Sequence, residues 1–217
     1  MCALFGNQNS TKSLGRLFLL SGMLTLASLV TAPAKAGLTL QLLPGLPLVF
    51  ADTPDRKAMS AKFNLGVEVI KSFESLPIAV AVFYQGTFMS DFGSMALNQN
   101  GVSAYYYPFG RPLSHRNIDG MVDVSQRRSS IFAKAGLGLA FFNFRQESSS
   151  IRFGASAFSY NIAAGIDQPV SDHITIGAES AYFTTFGGLS TDSTEANPVS
   201  VGATGFLFLA RIGFVVD

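Results

Sequence analysis

The chain has 217 residues, a length that suits one domain, with 15 basic and 14 acidic residues and a formal net charge of +1. That balance gives no strong electrostatic case for nucleic acid, and the single cysteine, Cys2, at the extreme N-terminus rules out a disulfide framework. Only 13% of residues are charged, against about 25% in a typical soluble domain, so the chain carries more apolar surface than an ordinary soluble protein needs.

The first thirty-six residues read as an export signal. Lys12 and Arg16 form a positive start, and an apolar run follows from Leu17 to Val30, interrupted by Ser21, Gly22, Thr25 and Ser28. Ala34-Lys35-Ala36 then gives small residues where a signal peptidase requires them. The run is short of the roughly 20 apolar residues of a spanning helix, which favours a cleaved signal over an uncleaved anchor. Cleavage after Ala36 leaves a domain of residues 37–217 starting at Gly37. It removes Lys12, Arg16 and Lys35 and no acid, so the remainder has 12 basic and 14 acidic residues, a net charge of −2. No later stretch is long and apolar enough for a spanning helix. An exported chain this apolar still needs somewhere to place its apolar surface, and a closed barrel facing lipid satisfies that need with every backbone group paired.

Beyond the signal the hydrophobic period is two, with turn-forming clusters between segments. Leu38 to Phe50 carries Pro44 and Pro47, which cannot donate to a ladder; closure and an even strand number require it as a first strand. In Lys62 to Val69, Phe63, Leu65, Val67 and Val69 share one face, and Lys62, Asn64, Gly66 and Glu68 the other. In the next run Ile78, Val80, Val82, Tyr84 and Phe88 oppose Ala79, Ala81, Gln85 and Thr87. Ser90 to Asn100 reads as a polar break. Val102, Ala104 and Tyr106 then alternate with Ser103, Tyr105 and Tyr107. Phe109 to Arg128 reads as an irregular insert. From Ile131 to Phe141 the apolar face opposes Phe132, Lys134, Gly136, Gly138 and Ala140. Phe158 to Ile166, Ile174 to Tyr182 and Phe206 to Phe214 complete the set, with Glu179 and Arg211 on the less apolar faces. The predicted strands are 38–50, 61–73, 77–90, 101–108, 129–144, 152–166, 173–186 and 199–214, an all-β, eight-stranded antiparallel up-and-down transmembrane barrel. With the C-terminus periplasmic, the short connections 74–77 and 167–172 and the longer 109–128 insert share its side, and the remaining loops face outward.

The stretch Gly101 to Pro112, ending in Tyr107-Pro108-Phe109-Gly110, the glycine-alternating Ala133 to Leu139, and the alternating strand closing on Phe214 together resemble the OmpA-type family of small outer-membrane β-barrels, over about residues 61–217. The resemblance implies an outer-membrane location in a diderm bacterium. It also implies a terminal strand, marked by Phe214, that the barrel-assembly machinery reads, although Val215-Val216-Asp217 follow the phenylalanine here. Outer-membrane lipids and lipopolysaccharide are the expected surroundings, a monomer the expected state, and nucleic acid no partner.

Some eight-stranded barrels modify lipid A, chemistry that calls for a serine, a histidine base and an orienting carboxylate. The two histidines are His115, beside Ser114 in the insert with Asp119 and Asp123 nearby, and His173, beside Asp172. Both fall at the periplasmic end, whereas such sites lie at the outer leaflet, so no catalysis is expected. Two separated histidines without cysteine make no metal site, and no phosphate-binding glycine loop appears, so no cofactor is expected. The basic residues of the insert, Arg111, Arg116, Arg127 and Arg128, read as a solvated loop more readily than as an anionic contact. Lys62, Glu68, Lys134, Glu179 and Arg211 fall on predicted lumen faces. In an interior only wide enough for side chains they must pair, which predicts a structural, side-chain-plugged barrel over a narrow channel or a carrier of small apolar molecules. Tyr105, Tyr106, Tyr107 and Phe109 are predicted to form one aromatic girdle, and Phe141, Phe142 and Phe144 the other.

Overall fold

The computed structural model describes residues 37–51, 58–59, 61–73, 76–89, 94–118, 121–145, 152–190 and 202–216. The predicted signal, residues 1–36, lies outside them. The elements are β1 (Leu38–Ala51), β2 (Ala58–Met59), β3 (Ala61–Ser72), β4 (Ile78–Met89), β5 (Ser94–Tyr106), β6 (Leu113–Ile118), β7 (Met121–Arg127), β8 (Ser130–Arg145), β9 (Arg152–Pro169), β10 (Ile174–Ser190) and β11 (Ala203–Val216).

The main sheet runs β11-β10-β9-β8-β5-β4-β3-β1, and β11 pairs again with β1, closing it. Two-residue β2 extends the β3 side of β1, so the closed sheet is an eight-stranded antiparallel barrel. Strand neighbours in space are neighbours along the chain, except at the seam and where the separate β6–β7 ribbon intervenes. The seam runs from Leu38↔Val216 to Ala51↔Ala203. It pairs Leu38 through Leu42, then resumes at Gly45 beyond Pro44, which has no N–H to contribute.

Alternation decides which side chains enter the lumen. On β11, Leu207, Leu209 and Arg211 are buried while Phe206, Phe208 and Phe214 are exposed. The same rule gives exposed Ile131 and Leu137 on β8, Phe158, Ile162 and Ile166 on β9, and Val102 and Tyr106 on β5. The barrel therefore has an apolar exterior. Its lumen is filled in three layers. Toward the turns sit Ile70, Ala79, Ala81, Tyr105, Tyr107 and Phe132. Toward the loops sit residues including Leu43, Val49, Leu97, Phe142, Phe183 and Leu207. Charged groups lie between.

Several expectations change. Ser94–Asn100, read as a break, is strand: it ladders with both β4 and β8. Its polar residues are accommodated by placement, with Gln99 turned into the lumen and the Tyr84 hydroxyl donating to Asn98 Oδ1 at 2.9 Å on the outside. β10 continues past Gly187 to Ser190 through a register shift between Phe186 and Leu189. The insert is an ordered ribbon of β6 and β7 rather than irregular chain. It is entered by a turn in which Gly110 takes φ +83°, a conformation that favours glycine. The girdles are thinner than predicted: Tyr105, Tyr107 and Phe142 point inward, while Tyr106 and Phe109 remain outside. Adjacent residues on a strand face opposite ways, so clustered aromatics cannot all share one surface. The side chain of Phe144 lies outside the described set.

Candidate functional site: a buried charge network

Four of the five predicted lumen charges meet at the middle of the barrel, one each from β3, β8, β10 and β11. Lys134 Nζ lies 2.9 Å from Glu68 Oε1 and also pairs with Glu179. Arg211 pairs with Glu179 through Nη1 and with Asp167 of β9 through Nε at 2.8 Å, with Nη2 at 3.3 Å from the second Asp167 oxygen. The same Nη2 donates to Gln41 Oε1 at 2.8 Å, and the Tyr105 hydroxyl donates to Glu68. The guanidinium stacks over the Phe132 ring, 4.2 Å from its centroid, the geometry of a favourable cation–π contact.

All these groups are buried, Arg211 to 1% exposure. A lone charge in such a place is untenable, and pairing with supporting hydrogen bonds is what permits it. Each charged side chain of the network accordingly faces at least one partner of opposite charge. The five charged members comprise three carboxylates and two cations. Glycine makes room for them: a Cβ on Gly177, one inward position from Glu179, would come 2.5 Å from Asp167 Oδ1.

The fifth predicted member, Lys62, is not in the network. A register shift between Ala61 and Phe63 breaks the alternation there, and Lys62 is exposed. The residues missed from sequence are Asp167, Gln41 and Tyr105. Asp167 continues the inward parity of Asn161, Ala163 and Gly165 but stood one residue past the expected end of its strand. Gln41 sits between outward Leu40 and Leu42 on a strand whose prolines masked its pattern. Tyr105 was assigned to a girdle.

His173 lies in the turn between β9 and β10, exposed, its backbone N–H donating to Ser171 Oγ at 3.3 Å. The His115 side chain is outside the described set. What the central arrangement does chemically is hold charge in place: its cations and carboxylates are each engaged with one another and buried.

No family model and no curated protein matches the chain. Among solved structures, it is similar to Neisserial surface protein A, with a TM-score of 0.55 and 12% identity over 81% of this chain and 96% of that one. It is also similar to Ail, the attachment invasion locus protein of Yersinia pestis (TM-score 0.48, 12% identity, 83% and 99%), and to the outer membrane protein OprG of Pseudomonas aeruginosa (TM-score 0.43, 14% identity, 84% and 97%). At these identities the likeness is one of fold: a small, closed, eight-stranded antiparallel barrel.

Proposed function

We propose that this protein is a small outer-membrane barrel of the OmpA type with a structural or interaction role, a plugged lumen and no catalytic activity. The observation that carries the reading is the pairing of an apolar exterior with an interior filled along its length. Leu137, Phe208 and Ile162 are 64%, 56% and 54% exposed on three different strands, an arrangement that suits hydrocarbon, whereas a soluble barrel would expose polar side chains. The filled lumen supports a barrel that does not conduct. In this reading the turns, the β6–β7 ribbon and both chain ends face the periplasm. The loops meet lipopolysaccharide and the outside, and Phe214 serves assembly.

The test is fractionation with a heat-modifiability gel. The expected result is a protein in the outer-membrane fraction that keeps its barrel in SDS until boiled, then shifts in mobility, with a mature mass that begins at Gly37. Recovery as a soluble periplasmic protein would overturn the reading, as would steady conductance from pure protein in planar bilayers.

A further inference from the structure

On β5 the outward positions below Ala96 are Asn98, Asn100, Val102, Ala104 and Tyr106. The stretch from Ala96 to Tyr106 has about the 9–11 residues that a tilted strand needs to cross hydrocarbon. Exposed Tyr106 marks its lower edge. At its upper edge Ala96 pairs with Phe88, whose ring stacks on Phe63 with centroids 4.7 Å apart. Asn98 and Asn100 therefore sit inside the apolar band, both half-exposed. The Tyr84 hydroxyl donates to Asn98 Oδ1 at 2.9 Å, which fixes that amide and leaves its Nδ2 pointing away from Tyr84. Acyl chains offer an amide neither a donor nor an acceptor, so an amide held at this depth without a partner is costly. Away from the strand ends, where Lys62, Lys71 and Gln168 lie, the described outward residues of the other strands carry no amide and no charge. Their polar groups are hydroxyls, such as those of Thr184 and Thr204, which bond each other at 2.9 Å.

We infer that the outer wall around β5 docks a second copy of this chain, the two barrels related by a two-fold axis along the membrane normal that passes through the Asn98–Asn100 face. The chemistry names the occupant. A side-chain amide is its own complement: its oxygen accepts and its N–H₂ donates, so two amides face to face close two hydrogen bonds. The Tyr84 bond leaves Asn98 Oδ1 its second lone pair for this purpose. Among the described residues no other part of the wall offers amides at that depth, so the complement of this face is the face itself. Such a contact is isologous, and it closes at two copies. Depth agrees, because an axis along the normal keeps every residue at its height: Asn98 meets its own counterpart, and so does Asn100. Around the amides, Val102 and its cross-strand partner Leu137, 55% and 64% exposed, supply apolar side chains that pack in the contact. The inference rests on the reading of this exterior as lipid-facing and goes beyond it by naming a partner; it replaces the monomer implied by the resemblance.

The experiment uses the whole mature barrel in phosphatidylcholine vesicles, with folding checked by the heat-modifiability shift and insertion by flotation. A fluorophore on the Gly37 amino group allows copies to be counted by photobleaching. Spots should bleach in two steps and, on dilution with lipid, in one. Asn100→Leu removes both amides of its pair, since the axis duplicates every substitution, and should weaken dimerisation about tenfold, the order of two hydrogen bonds between chains in a membrane. Asn100→Gln keeps an amide and should retain most of the dimer. Leucine suits a lipid-facing position, so loss of the dimer in that variant is not loss of the barrel. The domain from Gly37 onward has no cysteine, so Val102→Cys introduces a single thiol beside the axis, and oxidation should link it to its counterpart. Ala210→Cys, on β11 at the opposite side of the ring, should not link. Single bleaching steps at every dilution, spots of three or more steps, or equal linking at positions 102 and 210 overturn the inference. So does a wild-type monomer that retains a lipid lost from Asn100→Leu, which would assign the amides to lipid. A barrel that floats and shifts on heating yet stays single fails this inference alone, whereas a chain that does neither removes the lipid-facing reading and this inference with it.

Discussion

Replacing Arg211 with alanine removes the group that joins Asp167, Glu179, Gln41 and the Phe132 ring at the centre of the lumen. Two carboxylates lose their guanidinium together. The five-member network goes from three carboxylates against two cations to three against one. Breaking one buried ion pair by deleting a partner costs about 3–5 kcal/mol. Lys134 stays paired with Glu179, which holds down that half of the loss, while Asp167 gives up both contacts. The expected destabilisation of Arg211→Ala is therefore about 3 kcal/mol, at the lower end of that range. The chain has no tryptophan, so urea unfolding in micelles should be followed by circular dichroism or by the fraction that migrates as folded barrel. Adding Asp167→Ala removes the stranded carboxylate, and the double variant should recover about 1–3 kcal/mol of the summed single losses, as coupled neighbours do. Conductance should stay absent, because apolar layers still fill the lumen on both sides of the gap. A loss under about 1 kcal/mol, within the range of an exposed ion pair, together with ion flow through Arg211→Ala, would refute the buried-network account.

Three further outcomes are expected. Leu137→Arg, on the exterior of β8, should cost about 2–4 kcal/mol of stability in a bilayer near its midplane; equal tolerance of arginine and leucine there would contradict a hydrocarbon-facing surface. Gly138→Ala should cost about 1–3 kcal/mol by overpacking, because a Cβ on Gly138 would press on the backbone oxygen of Asn100 and lie 3.1 Å from the Cα of Gly101, its partner across the ladder; urea midpoints would measure it, and a neutral result would mean the two strands can move apart. Lys62→Ala should change stability by no more than about 0.5 kcal/mol, the range of an exposed substitution, while Lys134→Ala should cost several-fold more; similar effects on unfolding would place Lys62 back in the network.

Where a strand had a clean period of two, its lumen members could be read from the sequence, since one face of each strand must carry whatever cannot sit outside. Glu68, Lys134, Glu179 and Arg211 were found in that way. Lys62 was misplaced because a one-residue irregularity reverses every facing beyond it, and nothing local to Ala61-Lys62-Phe63 announces such a shift. Asp167 escaped because a carboxylate two residues before a proline and close to a turn looks like loop, and its partner Arg211 is 44 residues away in sequence, so no local pattern encodes that pairing. The polar stretch Ser94 to Asn100 failed for the opposite reason. Strand pairing with β4 and β8 supplied the stability that its own side chains do not.

The seam between β1 and β11 sets the order of assembly. The other ladders of the barrel join strands adjacent along the chain or separated by one short ribbon, so each can zip locally as a hairpin. Joining Leu38 to Val216 instead closes a loop spanning nearly the whole domain, the contact with the largest entropic penalty and the slowest to form. Until it does, the sheet has two raw edges, and one of them carries Pro44 and Pro47, which withhold hydrogen bonds from any stranger as well as from β11. The strand with the poorest pairing capacity thus waits at the open edge, where it discourages pairing with other chains until β11 completes the circle.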